Sequence, residues 1–331
     1  MRFHRSVVLA AALLIPVLAK PERVHLILDT DIGNDIDDTL ALAMIHALES
    51  RGEVELLAVT ITKDSRFAGP FVDLMNTFYG RPDIPIGVVH NGKTPGDSPM
   101  IQIPAERKDK SGNFVYPHKL TDGSQAEEAV HLLRRTLEKQ PDGSVTIAQI
   151  GFSTNLARLI ESQDGSDLVR RKVAKLYAMA GNYARPEPEY NVYTDPEAAR
   201  ILLERWPTPI VFSGFEVGSA ILFPHQSIAT GFAYSANHPV ADAYRIFLPN
   251  LDDRPAWDPT DVLEAIRPGR YFELSPAGRV SLGPKNSTVF QKEPQGNHQY
   301  LIVDPGRVSE IRQLLADLVT EPPSVQARNN R

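Results

Sequence analysis

The amino-acid sequence predicts an α/β fold: a single domain in which a mostly parallel sheet is flanked by helices. Short apolar runs typical of buried strands alternate with segments of helical apolar spacing along most of the 331 residues. No internal repeat or linker divides the chain. Hydrophobic residues make up 42% of the sequence, which is enough to build a sizeable core.

The first half of the chain alternates strands with helices. Gly80 and Pro82 end the second helix, because neither residue favours helix continuation. Residues 91–125 have no clean period and are rich in Gly, Pro, Asp and Lys, so they predict a long loop with a lid or binding role. The predicted strands are Val24–Leu28, Val54–Thr62, Ile86–Val89 and Val145–Ile150, and the predicted helices are Thr39–Leu48, Phe71–Tyr79 and Ala129–Leu137.

The second half continues the alternation and ends in a hairpin and a helix. Pro196 favours a helix start near Asp195, because proline is well tolerated in the first turn. The predicted strands are Val173–Met179 and Ile210–Phe212, followed by a hairpin across Tyr271–Val303. The predicted helices are Asn155–Ile160, Asp195–Glu204, Val240–Phe247, Thr260–Ile266 and Pro305–Leu318.

The N-terminus is typical of a secretory signal peptide. Arg2 and Arg5 precede the apolar run Ser6–Ala19, which is shorter than the about 20 residues of a membrane span. We therefore expect residues 1–19 to be cleaved, leaving a mature domain over residues 20–331 in a secreted or periplasmic location. No stable membrane association is expected after cleavage. The alternative is a retained N-terminal anchor.

Charge and cysteine content narrow the range of partners. The net charge of −6 argues against binding to nucleic acid or to an anionic membrane surface, so we expect a small-molecule ligand. The chain contains no cysteine, which excludes a disulfide framework and thiolate chemistry.

The densest chemical signal is an acidic segment after the first predicted strand. Asp29, Asp31, Asp35, Asp37 and Asp38 lie within ten positions. Crowded carboxylates repel and raise one another's pKa, so a cation or strong hydrogen bonds must offset this cost in the folded protein. Oxygen ligands select a hard ion, Ca²⁺ or Mg²⁺, over Zn²⁺. The carboxyl ends of strands are also where open α/β sheets collect ligands.

Two simpler interpretations explain the acidic segment less well. An EF-hand loop starting at Asp29 would need Gly at its sixth position and Glu at its twelfth, where Asn34 and Leu40 stand. A solvated turn that caps the helix beginning near Asp38 would need one aspartate, not five.

Four blocks of the sequence resemble the nucleoside hydrolases, which cleave the N-glycosidic bond of ribonucleosides and include inosine–uridine-preferring and purine-preferring enzymes. Residues 29–42, DTDIGNDIDDTLAL, resemble the family's N-terminal calcium motif. Residues 145–157 are similar to its strand–Gly–x–x–Thr–Asn–x–Ala block, and Asn182 with residues 189–199 to its ribose-binding block. Residues 257–263 resemble the late block that returns an aspartate to the metal.

The resemblance implies a Rossmann-like, doubly wound core and a Ca²⁺-dependent ribonucleoside hydrolase whose catalytic domain spans residues 20–331. Family members are commonly dimers or tetramers, so a homodimer or homotetramer is expected. Asp31 would coordinate the metal and act as base toward the attacking water. The other implied metal ligands are Asp38, Asp258 and the carbonyl of Ile150, and the implied ribose ligands are Asp37, Asn182, Glu189 and Asn191.

The chemistry of the reaction agrees with these residue types. Cleavage passes through an oxocarbenium-like sugar, so carboxylates near the anomeric carbon stabilise the developing positive charge. A Ca²⁺ ion lowers the pKa of a bound water and orients vicinal hydroxyls, which selects ribosides over 2′-deoxyribosides.

The chain departs from the family pattern at two places. The segment Asn34-Asp35-Ile36 makes the acidic motif two residues longer than the commonest spacing, so Asp35 is an alternative to Asp37 as the ribose ligand. After the second strand, Lys63 and Asp64 stand where many members have Gly-Asn, and Lys63 is expected to contact the base or to pair with Asp64.

The leaving group poses a separate question. Trp257 stands where broad or pyrimidine-preferring members have a histidine that protonates the departing base. Tryptophan cannot supply that proton, but it stacks on a purine, so purine ribosides are the favoured substrates. Trp257 as a plain core residue is the alternative. His118, in the long loop, is a further candidate acid.

Two other functions compete with the hydrolase. A phosphatase of the haloacid-dehalogenase type also begins with Asp-x-Asp after an apolar strand, but it requires Thr or Val where Gly33 stands. An exported, non-catalytic nucleoside-binding protein would keep the same ribose site. The presence of all the implied catalytic carboxylates favours the enzyme.

Overall fold

The structure is a computed structural model that describes residues 23–324. The predicted signal peptide, residues 1–19, lies outside this range. Within the range, no helix combines the length and the apolar character that crossing a bilayer requires.

Thirteen strands and thirteen α-helices lie within residues 23–324. The strands are β1 Val24–Thr30, β2 Val54–Ile61, β3 Ile86–Val88, β4 Glu127–Glu128, β5 Val145–Gln149, β6 Val173–Met179, β7 Ile210–Ser213, β8 Leu222–Phe223, β9 Arg254–Pro255, β10 Glu273–Leu274, β11 Gly278–Leu282, β12 Thr288–Lys292 and β13 His298–Ile302. The helices are α1 Asp37–Ser50, α2 Ala68–Phe78, α3 Pro99–Glu106, α4 Ala129–Glu138, α5 Thr154–Glu161, α6 Gly165–Lys172, α7 Tyr190–Thr194, α8 Pro196–Arg205, α9 Phe215–Ala220, α10 Gln226–Thr230, α11 Pro239–Phe247, α12 Trp257–Ile266 and α13 Val308–Val319.

One large sheet organises the described residues. Its order is β12-β11-β13-β7-β6-β5-β1-β2-β3-β4, and β10 pairs with β13 at the side. The run from β13 to β4 is parallel, whereas β10, β11 and β12 are joined by antiparallel pairing. The α/β fold predicted from the alternation of strands and helices is therefore confirmed.

The sheet is buried on both faces. Leu26 and Leu28 of β1 belong to one hydrophobic cluster, and Ile27, which points the opposite way, belongs to another. Helices α1, α11, α12 and α13 contribute to the first cluster, and α4, α5, α6 and α8 to the second. Burial on both faces explains why the central strands read as continuous apolar runs.

The chain order creates a switch point between β1 and β5. From β1 the chain moves outward through β2, β3 and β4, and then returns to the other side of β1 to form β5, β6 and β7. Crevices at such a point, outside the carboxyl ends of the strands, are the preferred ligand sites of open α/β sheets. The two strand ends lie close together here, because a Cβ atom on Gly151 would be 2.6 Å from the backbone nitrogen of Asp31.

The structure adds elements that the sequence patterns missed. The predicted loop 91–125 contains α3, whose interior includes Pro104, and α6 carries three basic residues in its last turn with little apolar surface. The predicted hairpin at Tyr271–Val303 is confirmed for β11 and β12, and β13 pairs antiparallel with β10 and β11 and parallel with β7. These elements are specified by packing against neighbours distant in sequence and not by their own periodicity.

Candidate active site

A cavity of about 420 Å³ lies at the switch point. Its lining combines two classes of side chain that the fold gathers from distant parts of the sequence. The acidic residues are Asp31, Asp35, Asp37, Asp38 and Asp258, and the aromatic residues are Tyr190, Tyr193, Phe215 and Trp257. Ile150, Glu189 and Asn191 also line the cavity.

Three carboxylates form the tightest part of the acidic cluster. Asp37 and Asp38 begin α1 and Asp258 lies in the first turn of α12, and one oxygen from each lies within 4.8 Å of the others. The backbone N–H of Asp258 donates to Asp37 Oδ2 at 3.1 Å, and the Thr30 hydroxyl donates to Asp38 Oδ1. Both helices present their positive N-terminal ends to the cluster, which favours the ionised carboxylates.

Burial and mutual repulsion both act against ionisation of these groups. Burial raises the pKa values of Asp37, Asp38 and Asp258 well above the usual carboxyl range, and the neighbouring carboxylates add to the effect. Burial also raises the pKa of Asp31 to about 6. A hard divalent cation would supply the missing counter-charge, and the all-oxygen donor set fits such an ion.

Asp31 lies in the same cavity, and after burial its charge is the largest cause that raises the pKa of Asp38. Burial is the main cause of the raised pKa of Asp31, and the charge of Asp35 adds to it. Asn34 Nδ2 donates to Asp31 Oδ2 at 2.8 Å. The predicted base therefore sits beside the three-carboxylate group.

Asp29, the first aspartate of the motif, has a different environment. Its Oδ1 accepts hydrogen bonds from Thr60 Oγ1 at 2.6 Å and Asn155 Nδ2 at 2.8 Å, beneath the cavity. Burial raises the pKa of Asp29 to about 7. This side chain ties β1 to β2 and α5, while the four later aspartates of the motif line the cavity.

Glu189 and Asn191 organise the opposite wall. The Glu189 carboxylate caps α7 by accepting from the backbone N–H groups of Asn191 at 2.8 Å and Val192 at 3.2 Å, and it also accepts from Gly181. Asn191 Nδ2 donates to the carbonyl of Ile150 at 3.1 Å. That carbonyl, a predicted metal ligand, keeps its second lone pair for another partner.

Asn182 lies in a neighbouring concavity instead of the main cavity lining. Its Oδ1 accepts the backbone N–H of Arg185 at 2.9 Å, and its own N–H donates to Thr288 Oγ1. Its assignment to the ribose site stays a prediction.

Asp35, which belongs to the two-residue extension of the acidic motif, forms an ion pair with Arg254. The sequence analysis did not assign Arg254 to the site. Arg254 Nε donates to Asp35 Oδ1 at 3.0 Å, and Arg254 Nη2 donates to Asp35 Oδ2. Among residues 23–324 Asp37 has no such ion partner, and it lies close to Asp38 and Asp258. This arrangement favours Asp37 over Asp35 as a ligand in the site.

Lys63 and Asp64, which follow β2 closely, have different hydrogen-bond partners. Lys63 Nζ donates to Asn34 Oδ1 at 2.7 Å, and Asp64 Oδ2 accepts the backbone N–H of Gly92 at 3.0 Å. The predicted pairing of Lys63 with Asp64 is therefore not observed. Lys63 contacts Asn34, which lines the cavity, and Asp64 holds the start of the loop after β3.

His118 lies in a second cavity, beside Phe114 and Arg66, and not with the carboxylates. Its Nδ1 contacts the carbonyl of Tyr116 at 2.6 Å. The candidate role of His118 as the acid for the leaving group is therefore wrong in this structure, because the long loop folds it away from the cavity.

Trp257 contributes to an aromatic wall. Its ring stacks on Phe215 with centroids 5.4 Å apart, and the Arg254 guanidinium lies 5.2 Å from the ring centroid. Its Nε1–H donates to the carbonyl of Phe215 at 2.9 Å, so this N–H already has a hydrogen-bond partner within the protein. Gly218 permits this packing, since a Cβ there would lie 2.4 Å from Trp257 Cα.

Tyr190, Tyr193, Phe215 and Arg254 are cavity residues that the sequence analysis did not assign. Tyr190 and Tyr193 stand inside the quoted block 189–199, so their spacing around Asn191 was an available signal. Phe215 and Arg254 lie outside every quoted block, and only the fold brings them to the site.

A sequence model of the inosine-uridine preferring nucleoside hydrolases matches residues 26–299. The chain belongs to the nucleoside hydrolase family. The predicted assignment to ribonucleoside N-glycosyl hydrolases is thereby confirmed at the level of the family, and nothing in the match supports the phosphatase alternative.

Similar proteins differ in the base that their names specify. An uncharacterised protein of Schizosaccharomyces pombe is 27% identical over 270 residues, which cover 74% of this nucleoside hydrolase chain and 81% of that protein. A pyrimidine-specific ribonucleoside hydrolase of Salmonella enteritidis is 30% identical over 201 residues, which cover 58% of this chain and 60% of the relative. The purine-preferring ribonucleoside hydrolase of Gardnerella vaginalis has the same fold, with a TM-score of 0.67 at 20% identity over 89% of this chain and 99% of the other.

Proposed function

We propose that this nucleoside hydrolase is a Ca²⁺-dependent enzyme that converts purine ribosides to ribose and free base. The observation that carries the proposal is the grouping of Asp37, Asp38 and Asp258, buried and within 4.8 Å of one another, beside Asp31. Three clustered carboxylates and a fourth in the same cavity, all of them buried, are compatible with a folded protein at neutral pH when a hard cation neutralises them.

The metal site would be formed by Asp31, Asp38, Asp258 and the carbonyl of Ile150, and Asp37 offers an oxygen within 4.8 Å of those of Asp38 and Asp258. When bound, Ca²⁺ supplies charge neutralisation, acidifies a water and orients the ribose hydroxyls. The flexible coordination of Ca²⁺ suits an irregular set of carboxylates better than the strict octahedron of Mg²⁺.

The chain's own residues carry out the remaining steps. Asp31 accepts the proton of the attacking water, because it lies in the cavity with a carboxylate held by Asn34. Asp37, Glu189 and Asn191 line the space in which a ribose would bind. The surrounding carboxylates stabilise the positive charge that develops on the sugar as the N-glycosidic bond breaks.

The preference for purines is proposed from the aromatic wall. Tyr190, Tyr193 and Phe215 are 42%, 47% and 42% exposed, so large ring surfaces face the cavity and not the core. A two-ring base covers more of such a surface than a one-ring base does.

The cellular setting is also a proposal. The Arg2 and Arg5 charges followed by an apolar run support export to the periplasm or the exterior after cleavage at Ala19. We further propose a homodimer or homotetramer, as is common in the family. N-terminal sequencing of the secreted protein and light scattering of the purified mature chain test these two points.

The central test compares substrates with and without chelator. The mature protein is incubated with inosine, guanosine, uridine and p-nitrophenyl phosphate, in Ca²⁺ or in EGTA. Ribose release that is faster with the purine ribosides and lost in EGTA supports the proposal. Phosphate release would indicate a phosphatase, and inosine binding without turnover would indicate a riboside-binding protein.

A further inference from the structure

We propose that Lys63 and Asn34 are positioning residues for Asp31 and act in series. In this arrangement Lys63 fixes the side-chain amide of Asn34, and Asn34 in turn holds one carboxylate oxygen of Asp31. The inference rests on the proposed function, because Asp31 is the base of that reaction. It concerns the two places where the chain departs from the family pattern.

A continuous set of hydrogen bonds connects the three side chains. Lys63 Nζ donates to Asn34 Oδ1 at 2.7 Å and to the carbonyl of Thr94 at 3.1 Å. Asn34 Nδ2 donates to Asp31 Oδ2 at 2.8 Å and to Thr94 Oγ1 at 3.2 Å. Each of these four hydrogen bonds joins a donor to an acceptor of suitable chemistry.

The ammonium group determines which way the amide of Asn34 faces. Lysine has three donors and no acceptor, so it can bind only the oxygen of the amide. The NH₂ group must then lie at the other end, where it faces the acceptor Asp31. Without Lys63 the amide would lose the donor that fixes its oxygen, and only its bonds to Asp31 and Thr94 would hold its orientation.

Local packing keeps Lys63 in this position. Only 4% of its surface is exposed, and its stem lies against Gly33, where a Cβ would be 3.2 Å from Lys63 Cδ. A buried ammonium group needs its hydrogen-bond partners, and Thr94 supplies one of them from the long loop 91–125. The loop therefore contributes to the orientation of the base through Asn34 and Lys63.

The consequence for the reaction lies in the geometry of the proton transfer. Asn34 engages Oδ2 of Asp31 and so restrains the plane of the carboxylate. A restrained carboxylate presents its remaining oxygen to the attacking water in a fixed direction. Loss of the restraint should slow the chemical step more than it weakens riboside binding.

The activity test is a double-mutant cycle on the mature, Ca²⁺-loaded enzyme. Lys63→Met removes the donors and keeps an apolar stem of similar length, and Asn34→Ala removes the amide. We expect Lys63→Met to lower kcat by about 10- to 100-fold with KM changed by less than about threefold. The double variant should be no slower than Asn34→Ala alone, because Lys63 acts through Asn34.

Lys110→Met is the matched control and should keep wild-type kcat, because Lys110 lies on an exposed part of the loop 91–125. An unchanged kcat in Lys63→Met, or losses that multiply in the double variant, would overturn the serial arrangement. A loss seen in KM and not in kcat would likewise overturn it, since it would place Lys63 in substrate binding.

A second measurement does not depend on turnover. Crystal structures of the wild type and Lys63→Met, both without substrate, are compared at Asn34 and Asp31. We expect the fold to be preserved and the Asp31 carboxylate to rotate or to occupy two orientations in the variant. An unmoved carboxylate would contradict the proposed positioning role, whether or not the wild type hydrolyses ribosides. Absence of riboside hydrolysis by the wild type would instead refute the proposed function.

Discussion

The guanidinium of Arg254 binds the carboxylate of Asp35 at two points, with Nε donating to Oδ1 at 3.0 Å and Nη2 donating to Oδ2. The two residues are 219 positions apart in sequence. The same guanidinium lies 5.2 Å from the ring centroid of Trp257. This pair therefore links the lengthened acidic loop to the aromatic wall and neutralises one carboxylate of the cluster.

Removal of Asp35 should weaken metal binding. In Asp35→Ala, Arg254 would lose its counter-ion while remaining near Asp37, whose pKa it lowers through its positive charge. An unpaired cation beside the carboxylates competes with Ca²⁺, so we expect its dissociation constant to rise by about tenfold, equivalent to about 1.4 kcal/mol. Isothermal titration calorimetry measures this change.

The double variant Asp35→Ala/Arg254→Ala is the control for charge. Because it removes both members of the pair, it should bind Ca²⁺ more tightly than Asp35→Ala. Equal affinities for the single and double variants would show that Arg254 does not act on the metal site electrostatically.

Substitution of the proposed base should greatly slow turnover. Asp31→Asn keeps the size of the side chain but cannot accept the proton of the attacking water, so kcat should fall by about 10² to 10⁴-fold. Ribose release from inosine under saturating Ca²⁺ measures the effect. Asp83→Asn, at a carboxylate whose side chain is 91% exposed, should keep wild-type rates, and a normal kcat in Asp31→Asn would exclude Asp31 as the base.

The metal-free protein should lose stability as the pH rises. Burial raises the pKa of Glu189 from its ordinary 4.5 to about 7 and that of Asp31 from 3.8 to about 6. The folded state therefore binds protons more tightly than the unfolded state, and its stability declines as pH rises from the unfolded pKa values through the folded ones. Urea unfolding in EGTA at about pH 5 and about pH 8 should show the lower midpoint at the higher pH.

Calcium should reverse this trend, because a cation that binds only the folded state stabilises it and competes with protons for the carboxylates. At a free concentration of about 100 times the dissociation constant, the gain is about 2.7 kcal/mol. A metal-free protein that is more stable at pH 8 than at pH 5 would contradict the assigned shifts.

Loss of the indole ring should affect purine ribosides more than pyrimidine ribosides. Trp257→Ala removes part of the aromatic wall, and base–aromatic stacking contributes about 1 to 3 kcal/mol per base. We expect kcat/KM to fall at least about tenfold further for inosine and guanosine than for uridine. Trp257→Phe should retain most of the preference, and equal losses on all three substrates would assign Trp257 a structural role alone.

The fold was predictable because its central elements carry their own signal. Strands such as Val24–Thr30 and Val173–Met179 are buried on both faces and read as apolar runs. The short α3 and α6 were missed because they bury few residues, and Pro104 weakens the helical signal of α3. The position of β13 beside β7 depends on long-range pairing that no local pattern encodes.

The sequence by itself determined the α/β alternation, the dense aspartate motif and the blocks that resemble the nucleoside hydrolases, since these properties reside in consecutive residues. Only the tertiary structure decided which of those groups meet. It paired Asp35 with Arg254, grouped Asp37 and Asp38 with Asp258, and placed His118 in another cavity. The physical reason is that hydrogen bonds, ion pairs and desolvation depend on distances of a few ångströms between atoms, and these distances arise only when the sheet and its helices pack.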